Sequence, residues 1–332
     1  MINVRKNFWN WKLRRDDVLG NWFDHYPEYL SAAKVKQNPQ RTVFTVDDRY
    51  YVKLFTPHKL DDKLRELLFP RAEREFTTGL ELEKAGIPVI EYLGWGRRFT
   101  TGMLVSTAEP DARTLWQCRP GITQELLAKL ADLTRMLVER NYFHPDYHAG
   151  NLLVCGQGLK LVDVYGIVKI DQYGDEQNYR MCRMILGLKE FLNNTQAVEF
   201  MIRSGLAENP VQAMESWNEY LVRDGIHLKK DWEKRSRQIR NYYGKFVLAK
   251  ENTVYRKMPD ESAADLDGAE IKEYPPEEAM ALWLDSFRLE LAGLPCRKPL
   301  ALKDGSILYW EQNACPEWNE ETQDRAWRME LS

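Results

Sequence analysis

Residues 144–154 read HPDYHAGNLLV, a dense run of polar side chains flanked by apolar segments. Polar groups buried without partners cost folding free energy, so such a run is either paired or used. His144, Asp146 and Asn151 have the spacing H-x-D-x-x-x-x-N, and Asp163 follows inside the apolar run GLKLVDVYGIVKI. These residue types suit phosphoryl transfer: one carboxylate orients an acceptor hydroxyl, while an asparagine and a second aspartate offer hard oxygens to magnesium on phosphates. Taken singly, Asp146 reads equally as an Asx-turn former and Asn151 as a loop residue. A histidine in a buried loop more often satisfies hydrogen bonds than does chemistry; that is the reading for His144, while His148 stays open between the two.

Upstream, VFTVDDRYYVKLF (43–55) has two β-rich runs about Asp47-Asp48, a hairpin signal that places Lys53 on a strand. From there an ammonium reaches nucleotide phosphates, although a lone strand lysine is more commonly a solvated edge residue. The window Leu64 to Gly86 reads as helix, its main part starting at or after Pro70, because proline fits a first turn and not an interior. This helix offers Glu75 to Lys53, with Glu73 and Glu81 as alternatives that a helical wheel does not separate. Two strand-like runs follow, and the break at Glu109-Pro110-Asp111 marks a boundary between lobes. From Thr123, Leu126, Leu130, Leu133 and Leu137 form a helical stripe, and the chain to about Lys245 reads as mostly helical.

The order strand lysine, helix glutamate, break, apolar helix, HxDx4N, strand aspartate resembles the protein-kinase-like superfamily. Within it, the chain is similar to the lipopolysaccharide kinase family, which phosphorylates Kdo or heptose sugars of the inner core. HPDYHAGNLLV with LVDVYG carries the resemblance, supported by VKLF and EREFTTGLELEKAGIPV, over about residues 40–245. It implies an α+β bilobal fold, with a β-rich N-lobe and one main helix over residues 1–109 and a helical C-lobe over 110–245. It also implies ATP and Mg2+, with Asp146 as catalytic base, Asn151 and Asp163 as magnesium ligands, and Lys53 and Glu75 as the ion pair over the nucleotide. His148 would stand where protein kinases carry a lysine facing the γ-phosphate, and His144 would tie the catalytic loop to the Asp163 turn.

The chain departs from the pattern in three places. No glycine occurs in KVKQNPQRTVFTVDD (34–48), so the GxGxxG loop is missing; DVYG replaces D-F-G; and the segment after Asp163 is short and lacks A-P-E. A glycolipid or small-molecule sugar acceptor is therefore favoured over a protein. The alternatives are an aminoglycoside- or choline-type phosphotransferase, and a pseudokinase or scaffold without transfer activity.

Residues 246–332 read as a C-terminal extension resembling a partial second N-lobe, since FVLAKENTVYRK resembles VFTVDDRYYVK and RLELAGLPCRKPLAL resembles LELEKAGIPVIEYLG. Leu282 stands at the position matching Glu75, so a second lobe would be non-catalytic. A chain of 332 residues exceeds what one core serves. The net charge of −3 gives no field for nucleic acid, and five scattered cysteines indicate neither a zinc site nor a disulfide framework. With no apolar run of roughly 20 residues, the expected location is the cytoplasm. A peripheral contact with the inner membrane would use the basic run Lys229 to Arg240 and the aromatic, basic start (Phe8, Trp9, Trp11, Lys12, Arg14, Arg15). The alternative is a solvated helix face and an ordinary first strand.

Overall fold

Strict alternation at the N-terminus builds the first strands. β1 (Ile2–Lys6) and β2 (Trp9–Leu13) pair as a hairpin, and β2 turns Trp9, Trp11 and Leu13 inward while Asn10 and Lys12 face out. The computed structural model describes residues 1–32, 34–38, 40–109, 111–156, 158–258, 262–292 and 296–310. The chain divides into two compact units, Met1–Trp217 and Asn218–Ser332, and the cut falls inside a long helix.

In the first unit, α1 (Tyr26–Ala32) and β3 (Lys34–Asn38) lead to β4 (Arg41–Val46) and β5 (Tyr50–Phe55). Asp47 and Asp48 between them are left-handed, with φ of 50° and 51°, the geometry that matches the twist of a hairpin. Next come α2 (Leu60–Leu68), α3 (Arg71–Lys84), β6 (Tyr92–Arg98) and β7 (Thr101–Thr107). Pro70 caps α3 from outside, as its fixed φ predicts. The strands form one antiparallel sheet in the order β1-β2-β6-β7-β5-β4-β3. Its core is Trp9, Trp11, Leu13, Phe44, Val52, Leu93 and Met103, capped by Phe23, whose ring meets Trp11 edge-on at 5.0 Å.

The N-terminal tryptophans therefore belong to the fold. Both are 2% exposed, which selects the ordinary first strand over the interfacial surface; the two-residue period of β2 sends them into the core. Lys12 and Arg14 pair with Glu73 and Glu83. Helix α2 is amphipathic in the opposite sense to a core helix: Glu66 is buried, held by Arg71 at 2.9 Å, and Leu60, Leu64 and Leu68 are exposed.

A second, mostly helical lobe follows. It comprises β8 (Arg113–Thr114), α4 (Leu115–Cys118), α5 (Gln124–Glu139), β9 (Tyr142–Phe143), β10 (Leu152–Cys155), β11 (Gly158–Leu161), β12 (Val168–Lys169), α6 (Asp175–Leu186) and α7 (Asn194–Arg203). Helix α8 (Pro210–Arg240) carries the chain onward. Thr123 caps α5, whose buried stripe is Leu127, Leu130, Leu133, Thr134 and Leu137, so Leu126 lies at its margin. Pro110, in the break between lobes, lies outside the described residues. This is the α+β bilobal arrangement: a sheet with one main helix, then helices.

The second unit contains β13 (Val247–Lys250), β14 (Thr253–Arg256), β15 (Glu270–Glu273), α9 (Pro276–Ala292), β16 (Pro299–Lys303) and β17 (Ile307–Trp310). Trp283 and Phe287 of α9 pack on Val254, Leu302 and Leu308 of its sheet. A hairpin, a helix and a second hairpin follow one another as in the first unit, with the extra strand β15 between the first hairpin and the helix. The strand order differs: β5 pairs with β7, the later strand of the second hairpin, whereas β14 pairs with β16, the earlier one. The basic run lies on α8, where Arg235 packs on Phe246 at 4.5 Å and Lys229, Lys230 and Lys234 are exposed. No described helix is long and apolar enough to cross a membrane.

Candidate active site

A local hairpin links Asn151 and Asp163. Asn151 directly precedes β10 and Asp163 lies two residues after β11, with Leu152 opposite Leu161. The Val162 N–H donates to the Asn151 carbonyl at 3.0 Å. Asp163 itself is left-handed, with φ 60° and ψ 42°. That conformation is uncommon for a residue with a Cβ and is held only where the surroundings over-determine it.

What holds the Asp163 carboxylate comes from the sheet lobe. The Lys53 ammonium lies 2.5 Å from Glu75 Oε1 and 3.3 Å from Asp163 Oδ1. Glu75, 1% exposed, also accepts from the Tyr92 hydroxyl at 3.0 Å. Burial raises the Glu75 pKa, with Lys53 opposing. Of the sequence alternatives, Glu73 instead pairs with Lys12. The Tyr92 ring passes over Gly79 so closely that a Cβ there would stand 2.2 Å from a ring carbon. Glycine at this position of α3 is what lets Tyr92 reach Glu75, one turn earlier.

A residue that the sequence reading missed completes the cluster. Arg41 Nη1 is 2.9 Å from both Oδ1 and Oδ2 of Asp163. Burial pushes the Asp163 pKa up, but Lys53 and Arg41 outweigh it and hold the carboxyl well below the usual carboxylate range. The signal was available: Arg41 lies two residues before Val43, which stands opposite Lys53, so both cations share one sheet face.

The loop carrying Asp146 is anchored by an apolar residue with a polar tip. Tyr147 is 2% exposed, and its hydroxyl meets Thr134 Oγ1 of α5 at 2.9 Å. Asp146, its neighbour, is left open, with its side chain 75% exposed. His148 Nδ1 accepts from the Gly150 N–H at 3.0 Å, which leaves the ring proton on Nε2, 3.5 Å from Asp146 Oδ2. That contact, with help from Asn151, lowers the Asp146 pKa, so the carboxylate is ionised at neutral pH. His148 thus lies against Asp146 with both ring nitrogens engaged.

The Asn151 amide donates to the Asp146 carbonyl at 3.0 Å. This bond uses its nitrogen and leaves Oδ1, the hard donor, uncommitted. His144 is 1% exposed, and burial lowers its pKa to about 4. Its Nδ1 accepts from the Asp146 N–H at 3.3 Å, and its Nε2 is buried without a partner. The expected tie to the Asp163 turn is not among its bonds; His144 braces the Asp146 backbone instead.

Asn151 Oδ1 and the ionised Asp163 carboxylate form the donor set that a magnesium ion shares with substrate phosphates, and they fit that ion. Among the described residues no three His, Cys, Asp or Glu side chains gather to hold a metal on their own. A sheet lobe with one main helix whose glutamate pairs with a strand lysine, followed by a helical lobe whose hairpin delivers an aspartate to that lysine, is one known arrangement. The fold is protein-kinase-like.

No family model matches the chain, and no curated protein sequence matches it. Among solved structures it is similar to WaaP in complex with acyl carrier protein, with a TM-score of 0.46 and 15% identity over 64% of this chain and 95% of that one. It is similar also to the bifunctional kinase-methyltransferase WbdD, with a TM-score of 0.40 and 17% identity over 66% of this chain and 48% of WbdD. A third is the PknI kinase domain of Mycobacterium tuberculosis, with a TM-score of 0.37 and 12% identity over 57% of this chain and 93% of that domain. At these scores none carries weight beside the chain's own strand order and loop geometry.

Proposed function

We propose that the chain is an ATP- and magnesium-dependent phosphotransferase acting on a sugar hydroxyl of the lipopolysaccharide inner core. The observation that carries this reading is the link through Asn151 between the open Asp146 loop and the Lys53, Glu75 and Asp163 cluster: the Asn151 amide donates to the Asp146 carbonyl, and the Asn151 carbonyl accepts from Val162, the neighbour of Asp163. Asp146 accepts a hydrogen bond from the acceptor hydroxyl, orients it and takes its proton. His148 Nε2–H steadies that carboxylate, and His144 and Tyr147 hold the loop under it. Lys53, positioned by Glu75, neutralises phosphate oxygens. Asn151 and Asp163 would hold magnesium, which supplies charge neutralisation on the transferring group.

A glycan acceptor is supported by the brevity of the segment after Asp163. It makes a single turn over Val164–Gly166 and the short strand β12 before α6 begins at Asp175, which leaves little chain for a peptide platform. The test is transfer of labelled γ-phosphate to lipid-linked inner-core saccharides and, in parallel, to aminoglycosides and choline. Asp146→Asn should bind ATP with magnesium as the wild type does and turn over roughly 10²- to 10⁴-fold more slowly. Undiminished transfer by Asp146→Asn, or no binding of ATP by the wild type, would sink the reading. Turnover of the soluble acceptors alone would reassign the substrate.

A further inference from the structure

In a protein kinase, backbone amides of a glycine-rich loop cover the phosphates. The corresponding turn here, between β3 and β4, contains no glycine. Arg41, the first residue of β4, stands just after it, opposite Phe55, on the sheet face shared with Lys53. Its side chain is 19% exposed, so it is largely shielded from solvent, against the Asp163 carboxylate.

The Asp163 carboxylate serves two cations, Arg41 and Lys53. Lys53 has a second acid, Glu75, but among the described residues Asp163 is the only acidic partner of Arg41. A divalent cation on Asp163 would compete with both for the same oxygens. Lys53 would keep Glu75, whereas Arg41 would be released, a guanidinium already positioned beside Asp163. Its Nη1 meets both oxygens of a carboxylate, and a guanidinium is equally suited to two oxygens of a phosphate.

We propose that Arg41 is the phosphate clamp of this site: a side-chain guanidinium takes the β- and γ-phosphate oxygens in place of glycine-loop amides. The inference rests on the reading of the site as a nucleotide site. Arg41 is a binding residue, and its partner changes from Asp163 to the nucleotide when magnesium occupies Asp163.

Calorimetric titration of the full chain with ATP, ADP, AMP and adenosine, each with magnesium, tests it. Arg41→Ala should weaken ATP by roughly 10- to 100-fold, the range for a lost charged hydrogen-bonded contact. ADP should weaken less, and AMP and adenosine should be unaffected. Arg41→Lys, which keeps the charge without the fork, should fall between Arg41→Ala and the wild type; thermal melting of the unliganded variants establishes that they are folded. Equal affinity of Arg41→Ala and wild type for ATP would overturn the proposal. Tighter ATP binding by Arg41→Ala would also overturn it, since Arg41 would then be a latch on Asp163. Failure of the wild type to bind even adenosine would overturn the nucleotide reading and the clamp with it.

Discussion

Each unit carries a cation near the end of its first hairpin that reaches a carboxylate on the following helix, yet the two pairs are built for different ends. In the first, Lys53 meets Glu75 and is left with a second acceptor, Asp163, delivered by a distant loop. In the second, Arg256 donates to the Pro299 carbonyl at 3.0 Å, Glu290 at 2.7 Å and Ser286 at 2.8 Å, and lies 3.7 Å from the centre of the Phe287 ring. Each of its three nitrogens donates to a partner within its own unit. A strand cation with a helix acid is thus a packing solution by itself; what sets the first unit apart is that another segment adds a second acid, Asp163, to the same cation.

Substitution at the two cations separates these roles. Arg256→Met should lower stability by about 3 kcal/mol in chemical denaturation, since it strands buried acceptors, and should leave the ATP affinity of the folded protein unchanged. Lys53→Met should abolish the stabilisation that saturating ATP with magnesium confers, about 2.7 kcal/mol at 100 times the dissociation constant. It should cost less unliganded stability than Arg256→Met, because Glu75, whose pKa burial already raises, can take up a proton. Weakened ATP binding in Arg256→Met would break the contrast.

Acid should weaken the first unit through its site. His144 titrates near 4 folded and about 6.5 unfolded, so the unfolded chain binds the proton first. The stability is present above about pH 6.5 and is lost as pH falls towards 4, about 2 kcal/mol by pH 5. His144→Gln should flatten that part of the profile; an unchanged slope would show that other groups cause it. The smallest effect is at Gly79. Gly79→Ala should cost about 1 kcal/mol, the gain in helix propensity partly offsetting the collision with Tyr92. It should also loosen Glu75, read as weaker ATP binding.

Residues whose chemistry depends on local order were legible in the chain. The left-handed Asp47-Asp48 hairpin, the start of α3 after Pro70, the capped α5 and the HxDx4N loop all follow from turn geometry, a fixed proline φ and helical period, each acting over a few residues. The same locality falls short where two patterns compete. Trp9 and Trp11 read either as an interfacial anchor or as part of an ordinary first strand, and only the sheet they join shows that both are buried. Which strand of a returning hairpin docks on β14 is likewise a long-range choice that no local signal encodes.

The sequence by itself determined which residue types stand in the right order for phosphoryl transfer: Lys53, Glu75, Asp146, Asn151 and Asp163. Only the tertiary structure decided that Glu75, with Tyr92 over Gly79, holds Lys53; that His148 lies against Asp146; and that Arg41 closes on Asp163. Sheet pairing and the β10–β11 hairpin bring these groups within a few ångströms across gaps as long as 122 residues, and electrostatics acts on that distance, not on separation along the chain.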